Sequence, residues 1–184
     1  MNNVEWTPEW LTETIKLLRT HGSDTQFIEV KKAHGGYPGS LDATLSSFSN
    51  SSTGGIIICG LDENNDFAPV GVYDPADLEK TLGNKLRRGL KPPNTMESGT
   101  ILYEGTKIFV ATIPPLPPYE RPAYIGGKAY VRSGDGDHEM SRHETDLMVA
   151  QRTRTGFDEE PVEYTSIADL DLSLIHISEP TRPY

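Results

Sequence analysis

Cysteine is almost missing from this 184-residue chain, which contains Cys59 alone. One thiol builds neither a disulfide framework nor a cysteine-ligated zinc site. The longest purely apolar run, Ile56 to Cys59, is far shorter than the ~20 residues that a membrane-spanning helix needs. Met1 to Glu5 lack the basic and apolar regions of a secretory signal. We therefore expect a cytoplasmic protein without a membrane segment, in which Cys59 is a small buried residue.

Positive charge is also scarce, because 17 Lys and Arg residues face 27 Asp and Glu residues, a formal net charge of −10. Seven of these acids but one of these bases follow residue 157, so residues 1–157 carry a net charge of −4. The electrostatic field of the whole chain therefore does not attract nucleic acid, and any phosphate contact must depend on a local basic patch. The acidity also leaves open a protein-interaction domain or a homo-oligomer.

Four segments have apolar residues at helical spacing together with helix-start signals. The first begins at Thr7-Pro8, a hydroxyl N-cap followed by proline at the first helical position. The last begins at Ser141, which forms a capping box with Glu144 and predicts a helix to about Arg154. The two helices between them have apolar stripes at Leu41, Leu45 and Phe48 and at Leu78, Leu82 and Leu86.

Other segments alternate or are continuously apolar, as strands do. Ile56 to Leu61 is apolar on both faces and predicts a central strand. The turn before it, Asn50 to Gly55, has no P-loop lysine and precedes a strand, so it predicts a tight turn rather than a phosphate cradle. The remaining predicted strands are Phe27–Lys31 and the hairpins Thr100–Tyr103 with Lys107–Ile113 and Ala123–Ile125 with Ala129–Arg132. The fold class is α+β, with a mixed or antiparallel sheet and flanking helices.

Several short motifs follow one another in an order that is recognisable. An acid-x4-Glu-x-Lys series leads into the first strand, and the later motifs are Ser47-Phe48-Ser49-Asn50, Gly54-Gly55, Gly60 to Glu63 and Tyr130 to Gly134. The series resembles the Alba-like domain of the Schlafen group, which stands at the front of bacterial regulators. The resemblance extends from about Asp24 to Gln151. It implies a nucleic-acid-associated α+β module, usually followed by an ATP-binding or winged-helix region.

The resemblance also suggests a division of the chain. We expect an N-terminal helix in residues 1–23, the Alba-like domain in 24–155 and an acidic linker to a further C-terminal region in 156–171. Leu172 to Arg182 resembles the translation of a sequencing-library adaptor, so residues 172–184 are predicted to be an artefact. On this expectation the native reading frame is lost near Asp171.

Some Schlafen domains are metal-dependent endoribonucleases that use three carboxylates. The resemblance places these on Asp24, Glu29 and Asp62, with Lys31 assisting, although Asp24 stands where the family usually has Glu. Carboxylates are hard ligands suited to Mg²⁺ or Mn²⁺, and a lysine can stabilise charge that develops on a phosphate. This alternative requires the three carboxylates to converge within reach of one ion. The other interpretation of the same residues is a salt bridge on a solvated strand face.

Basic residues are concentrated in two places. The densest stretch holds Lys80, Lys85, Arg87, Arg88 and Lys91, and the second hairpin adds Arg121, Lys128 and Arg132. Bases on one helix face can contact a phosphate backbone, but they are also typical of the solvated side of an amphipathic helix. The leading hypothesis is a DNA- or RNA-binding module of a larger transcriptional regulator or ATP-binding protein.

Overall fold

The structure, a computed structural model, describes residues 6–157. The adaptor-like segment and all but the first two residues of the predicted acidic linker lie outside the described residues. No helix within residues 6–157 has the length and apolar character needed to cross a membrane.

Residues 6–157 form helices and strands in an order typical of an α+β chain. The helices are α1 (Pro8–His21), α2 (Leu41–Asn50), α3 (Pro75–Asn84) and α4 (Arg142–Phe157), and a π-helical turn, Lys85–Gly89, extends α3. The strands are β1 (Ile28–Lys31), β2 (Gly55–Cys59), β3 (Leu61–Asp62), β4 (Ala68–Pro69), β5 (Leu90–Lys91), β6 (Glu97–Tyr103), β7 (Thr106–Ile113), β8 (Tyr124–Ile125), β9 (Lys128–Ser133) and β10 (Gly136–Glu139).

The strands form two four-stranded sheets and a short ribbon. The first sheet has the order β1-β2-β7-β6, in which β1 and β2 are parallel and the other pairs antiparallel. The second sheet, in the order β10-β9-β8-β5, is antiparallel throughout, and β3 pairs with β4. The expected α+β class with a mixed or antiparallel sheet is confirmed, although the strands form two main sheets, and β2 is central as expected.

The first sheet buries both of its faces because successive strand residues point in opposite directions. Ile58 belongs to the cluster that packs against α1, through Leu11 and Ile15. Its neighbour Ile57 belongs to the opposite cluster, which contains the apolar stripes of α2 and α3 and reaches Ile125 of the second sheet. Helix α2 therefore lies between the two sheets, and α1 and α3 lie on opposite faces of the first.

The first and last helices begin with the N-terminal caps that the sequence predicts. Thr7 Oγ1 accepts a hydrogen bond from the Trp10 N–H at 3.2 Å, and α1 ends at Gly22 with φ 75°. The Ser141 N–H donates to Glu144 Oε2 at 2.7 Å, which completes the predicted capping box. Strand β10 was not expected from the sequence, because a polar edge strand has no apolar alternation.

The Gly54-Gly55 turn leaves no room for a side chain at either glycine. Gly54 has φ +77°, and a Cβ added there would lie 2.2 Å from the Ile113 carbonyl oxygen. A Cβ at Gly55 would lie 2.5 Å from the Phe48 ring. These glycines let the chain leave α2 and enter the sheet against its neighbours, as the tight-turn prediction states.

Candidate functional site

Buried charges lie where the first strand meets the second sheet. Glu29 on β1 is 5% exposed, and Arg132 on β9 is 7% exposed. Glu29 Oε1 lies 2.6 Å from Lys31 Nζ, and Glu29 Oε2 lies 2.6 Å from Arg132 Nη1. Each oxygen of this carboxylate thus has its own cation. We call Asp24, Glu29, Lys31, Arg132 and Asp137 the buried charged cluster.

Arg132 is held from several sides. Its Nη1 lies 3.2 Å from Asp137 Oδ1, and its Nε donates to the Thr25 carbonyl oxygen at 3.0 Å. The guanidinium carbon lies 5.2 Å from the centre of the Phe48 ring, in a cation–π arrangement. Asp137 in turn accepts hydrogen bonds from the Thr44 and Ser47 hydroxyls of α2. Arg132 is therefore a buried structural cation, withdrawn from the surface that a phosphate could reach.

The environment of Asp24 perturbs the pKa of its carboxyl group. Burial, together with the negative charge of Glu29, raises the pKa of Asp24 to about 7. The Val30 N–H, which donates to Asp24 Oδ1 at 3.0 Å, and the more distant Lys31 ammonium oppose this rise in pKa. Asp24 therefore gains and loses its proton near neutral pH.

Lys31 stays charged although it is partly buried. Burial by itself lowers the pKa of Lys31, but the hydrogen bond and charge of Glu29, with the charges of Asp24 and Glu63, raise it overall. Glu63, rather than Asp62, is thus the loop acid whose charge acts on both Asp24 and Lys31.

The structure brings together three of the four residues that the resemblance assigns to catalysis: Asp24, Glu29 and Lys31. Asp62 instead pairs with Lys32, whose Nζ donates to Asp62 Oδ2 at 2.7 Å. Within residues 6–157, no group of three or more His, Cys, Asp or Glu side chains is placed to hold a metal ion. The donor set expected for Mg²⁺ or Mn²⁺ at Asp24, Glu29 and Asp62 therefore does not fit such an ion.

Four of the predicted phosphate contacts are exposed along α3 and the segment that follows it. They are Lys80, Arg87, Arg88 and Lys91, here called the basic face. In the part of the chain that the structure describes, none of the four has an acidic partner within 4.0 Å. Lys80 lies on α3, Arg87 and Arg88 on its π-helical turn and Lys91 on β5. Within residues 6–157, no ion pair with an acid competes with an external anion for these four cations.

The other predicted phosphate contacts are engaged within the protein. Lys85 Nζ lies 2.7 Å from Asp42 Oδ2 and 5.4 Å from the centre of the Tyr37 ring. Lys128 Nζ lies 2.6 Å from Glu139 Oε2. Arg121 is partly buried, and its Nε donates to the Leu116 carbonyl oxygen at 2.7 Å. Among residues 6–157, the predicted basic set thus divides into four side chains without an acidic partner and four that are engaged within the protein, Arg132 included.

A cleft of about 320 Å³ opens beside the basic face. One wall is α3 with its π-helical turn, and the other is the segment that leads into β6. Its lining residues are Glu79, Lys80, Gly83, Asn84, Leu86, Arg87, Asn94, Thr95, Met96 and Ser98. This α3 cleft was not found from the sequence, because its walls come from segments whose contact only the fold reveals.

The Ser-Phe-Ser-Asn motif has a structural role in joining α2 to the second sheet. Asn50 Oδ1 accepts from the Ala123 N–H at 2.6 Å, and its Nδ2 donates to the Tyr130 carbonyl oxygen at 3.0 Å. Ser46 Oγ, next to the motif, accepts from the Tyr130 N–H at 2.9 Å. Asn50 of this motif and its neighbour Ser46 therefore hold α2 against the second sheet.

Comparison with known proteins agrees with this architecture. The family model described as Schlafen, AlbA_2 matches residues 24–141. No curated protein matches the chain. The solution structure of the N-terminal domain of an ATP-dependent DNA helicase RecG-related protein from Nitrosomonas europaea is similar, with a TM-score of 0.56 and 23% identity over 75% of this chain and 97% of that one.

A second solved structure, the DIP2311 protein from Corynebacterium diphtheriae, matches with a TM-score of 0.48 and 15% identity. That match covers 76% of this chain and 28% of the other protein.

Proposed function

This chain belongs to the Schlafen, AlbA_2 family, and from that premise we propose that it is a nucleic-acid-binding module whose basic face contacts the phosphate backbone. Lys80, Arg87, Arg88 and Lys91 supply the positive charge. The module would serve a larger transcriptional regulator or ATP-binding protein in the cytoplasm. The similar domain from Nitrosomonas europaea belongs to a protein named for a DNA helicase, which supports nucleic acid as the partner.

The observation that carries this proposal is the contrast between free and paired cations. Eight other Lys and Arg side chains each lie within 4.0 Å of an acid: Lys16, Arg19, Lys31, Lys32, Lys85, Lys128, Arg132 and Arg142. A phosphate that approaches those residues competes with an internal carboxylate. A phosphate that approaches the basic face displaces only mobile counterions, and their release favours binding.

The buried charged cluster supports a structural role better than a nuclease. A three-carboxylate endoribonuclease needs Asp62 to join Asp24 and Glu29, and the ion pair between Asp62 and Lys32 argues against that arrangement. The cations that contact Glu29 also occupy the carboxylate oxygens that a divalent ion would need. The cluster instead supports the position of the second sheet relative to the first.

The salt dependence of binding tests the proposal. The full chain is titrated into fluorescein-labelled single-stranded DNA, duplex DNA and RNA of about 20 nucleotides, and anisotropy is followed between about 50 and 300 mM KCl. Four phosphate contacts predict that the logarithm of affinity falls with the logarithm of salt with a slope of about −3. Arg88→Gln should make this slope shallower by about 1.

Lys16→Gln is the matched control, because it removes one positive charge from α1 on the opposite face of the first sheet. It should leave the slope unchanged. Affinity that does not change with salt would overturn the proposal. A concentration-dependent dimer in light scattering, without affinity for any of the three probes, would favour the protein-interaction alternative instead.

A further inference from the structure

The α3 cleft suggests a ligand site, an inference that rests on the proposed function and extends it. We propose that the cleft binds one unstacked, amine-bearing nucleobase of a single strand, whose phosphates lie on the adjacent basic face. Lys80, Gly83, Asn84 and Arg87 line the cleft, and their helical spacing places them on one side of α3 and its turn. The volume of about 320 Å³ is near the lower end for small-molecule sites, as a single base requires.

One acid lies among the cations of this cleft. Glu79 Oε1 accepts from Ser98 Oγ at 2.6 Å, so the carboxylate is held at the wall that faces Ser98. Within residues 6–157, Glu79 has no cationic partner within 4.0 Å. A carboxylate in this position repels phosphate and attracts N–H donors. The amino groups of cytosine, adenine and guanine are such donors, whereas thymine and uracil offer a single imide N–H.

The remaining lining residues give the cleft its shape. The Asn94 amide is fully engaged, because its Nδ2 donates to Ser49 and Pro114 and its Oδ1 accepts from the Thr95 N–H. It therefore acts as a rigid wall. Met96 is partly buried against the core and offers a polarisable thioether to a ring. A Cβ at Gly83 would lie 3.7 Å from Met96 Cε, so the two walls come together at these residues.

A single strand fits this arrangement better than a duplex. A base inside a duplex is stacked and its edge is paired, so it cannot enter a cleft of this size. An unstacked base can enter while its flanking phosphates contact exposed cations such as Lys80 and Arg87 at the cleft. The predicted ligand is therefore an unpaired strand that has an amine-bearing base next to the basic face.

Two pyrimidine oligomers test this assignment with a minimal difference in chemistry. Oligo(dC) and oligo(dT) of about 12 nucleotides differ in the 4-amino and 4-oxo groups, in N3, which bears a hydrogen only in thymine, and in the thymine methyl. The full chain should bind oligo(dC) about threefold to tenfold tighter than oligo(dT), the range expected of one hydrogen bond that only cytosine makes well. Glu79→Ala should abolish this preference and strengthen oligo(dT) binding, because it removes a negative charge beside the phosphates.

Gly83→Leu tests the cleft by filling it without a change of charge. It should lower oligo(dC) affinity to the level of oligo(dT) and leave the salt slope unchanged. Ala76→Leu, on the exposed first turn of α3 and outside the cleft, is the matched control and should retain the preference. Unchanged urea midpoints confirm that both variants fold.

The outcomes separate this inference from the proposed function. Equal affinity for the two oligomers, with steep salt dependence, would overturn the cleft assignment and leave the basic face intact. Competition by free cytidine monophosphate as effective as that by oligo(dC) would overturn the assignment to a strand. Absence of binding to both oligomers, together with no affinity for the longer probes, would overturn the proposed function itself.

Discussion

Arg132 Nη1 and Glu29 Oε2 lie 2.6 Å apart, and this ion pair joins β9 of the second sheet to β1 of the first. Both side chains are almost completely buried. Removal of each charge from water costs several kcal/mol, so the pair is stable only when all its oxygens and N–H groups find partners. Lys31, Asp137 and the Thr25 carbonyl group provide them. The ion pair therefore stabilises the contact between the two sheets.

Replacement of Arg132 by methionine should strongly destabilise the fold. The variant leaves the carboxylates of Glu29 and Asp137 buried without their shared cation, although methionine has a similar apolar length. Loss of one partner from a buried ion pair costs about 3–5 kcal/mol in the free energy of unfolding. Urea unfolding followed by circular dichroism measures this change.

Arg142→Met provides the control for that measurement. Arg142 Nε lies 3.8 Å from Asp146 Oδ2, and both side chains are exposed. An exposed pair of this kind contributes about 0.5 kcal/mol or less, so the urea midpoint should barely move. Equal losses of stability in the two variants would contradict the structural role of Arg132.

Asp24→Asn should alter how stability depends on pH. The folded protein holds the pKa of Asp24 at about 7, above its ordinary value of 3.8. Between these two pKa values the folded state binds more protons than the unfolded state, so the free energy of unfolding falls as pH rises. The stability that protonated Asp24 provides is complete below pH 3.8 and is lost as pH rises to about 7.

Asparagine keeps an oxygen for the Val30 N–H but has no proton to lose. The stability of the wild type relative to Asp24→Asn should therefore fall by about 2 kcal/mol between pH 5.5 and pH 8. Urea unfolding of both proteins across this range measures the difference. A difference that stays constant with pH would show that Asp24 titrates in the folded protein as it does in an exposed position.

Asn50→Ala should destabilise the contact between α2 and the second sheet. The change leaves the Ala123 N–H without its acceptor and the Tyr130 carbonyl group without one of its donors. Unsatisfied buried polar groups cost about 1–3 kcal/mol each, so the expected loss is about 3 kcal/mol. The exposed Asn65 provides the control, because Asn65→Ala should change the urea midpoint little. Similar losses in the two variants would contradict the role of Asn50.

The elements of this fold could be predicted where local chemistry determines them. Thr7 before Pro8 and the Ser141–Glu144 box fix helix starts through contacts within four residues, so the sequence alone identifies them. The turn at Gly126-Gly127 similarly identified the β8–β9 hairpin. Strand β10 escaped prediction because its pairing with β9, rather than its own residues, determines its conformation.

Less of the candidate site could be predicted from the sequence, because its contacts join segments that are far apart in the chain. In the sequence Arg132 is one base among several. Only the fold shows that it contacts Glu29, which lies 103 residues earlier in the chain. Lys85 belongs to the densest basic stretch, yet its ion pair with Asp42 separates it from the basic face. The order of motifs did carry one signal, since Glu29, Asn50 and Arg132 all lie in the segments that define the resemblance.

The most direct test of the account removes the basic face as a unit. Gln replaces Lys80, Arg87, Arg88 and Lys91 together in one variant. Gln replaces four exposed cations that pair with acids, Lys16, Lys32, Lys128 and Arg142, in a second variant of identical net charge. Affinity for labelled single-stranded nucleic acid is measured for both between about 50 and 300 mM KCl. We expect the first variant to lose nearly all salt-dependent affinity and the second to keep most of it. Equal losses in the two variants would contradict the role of the basic face.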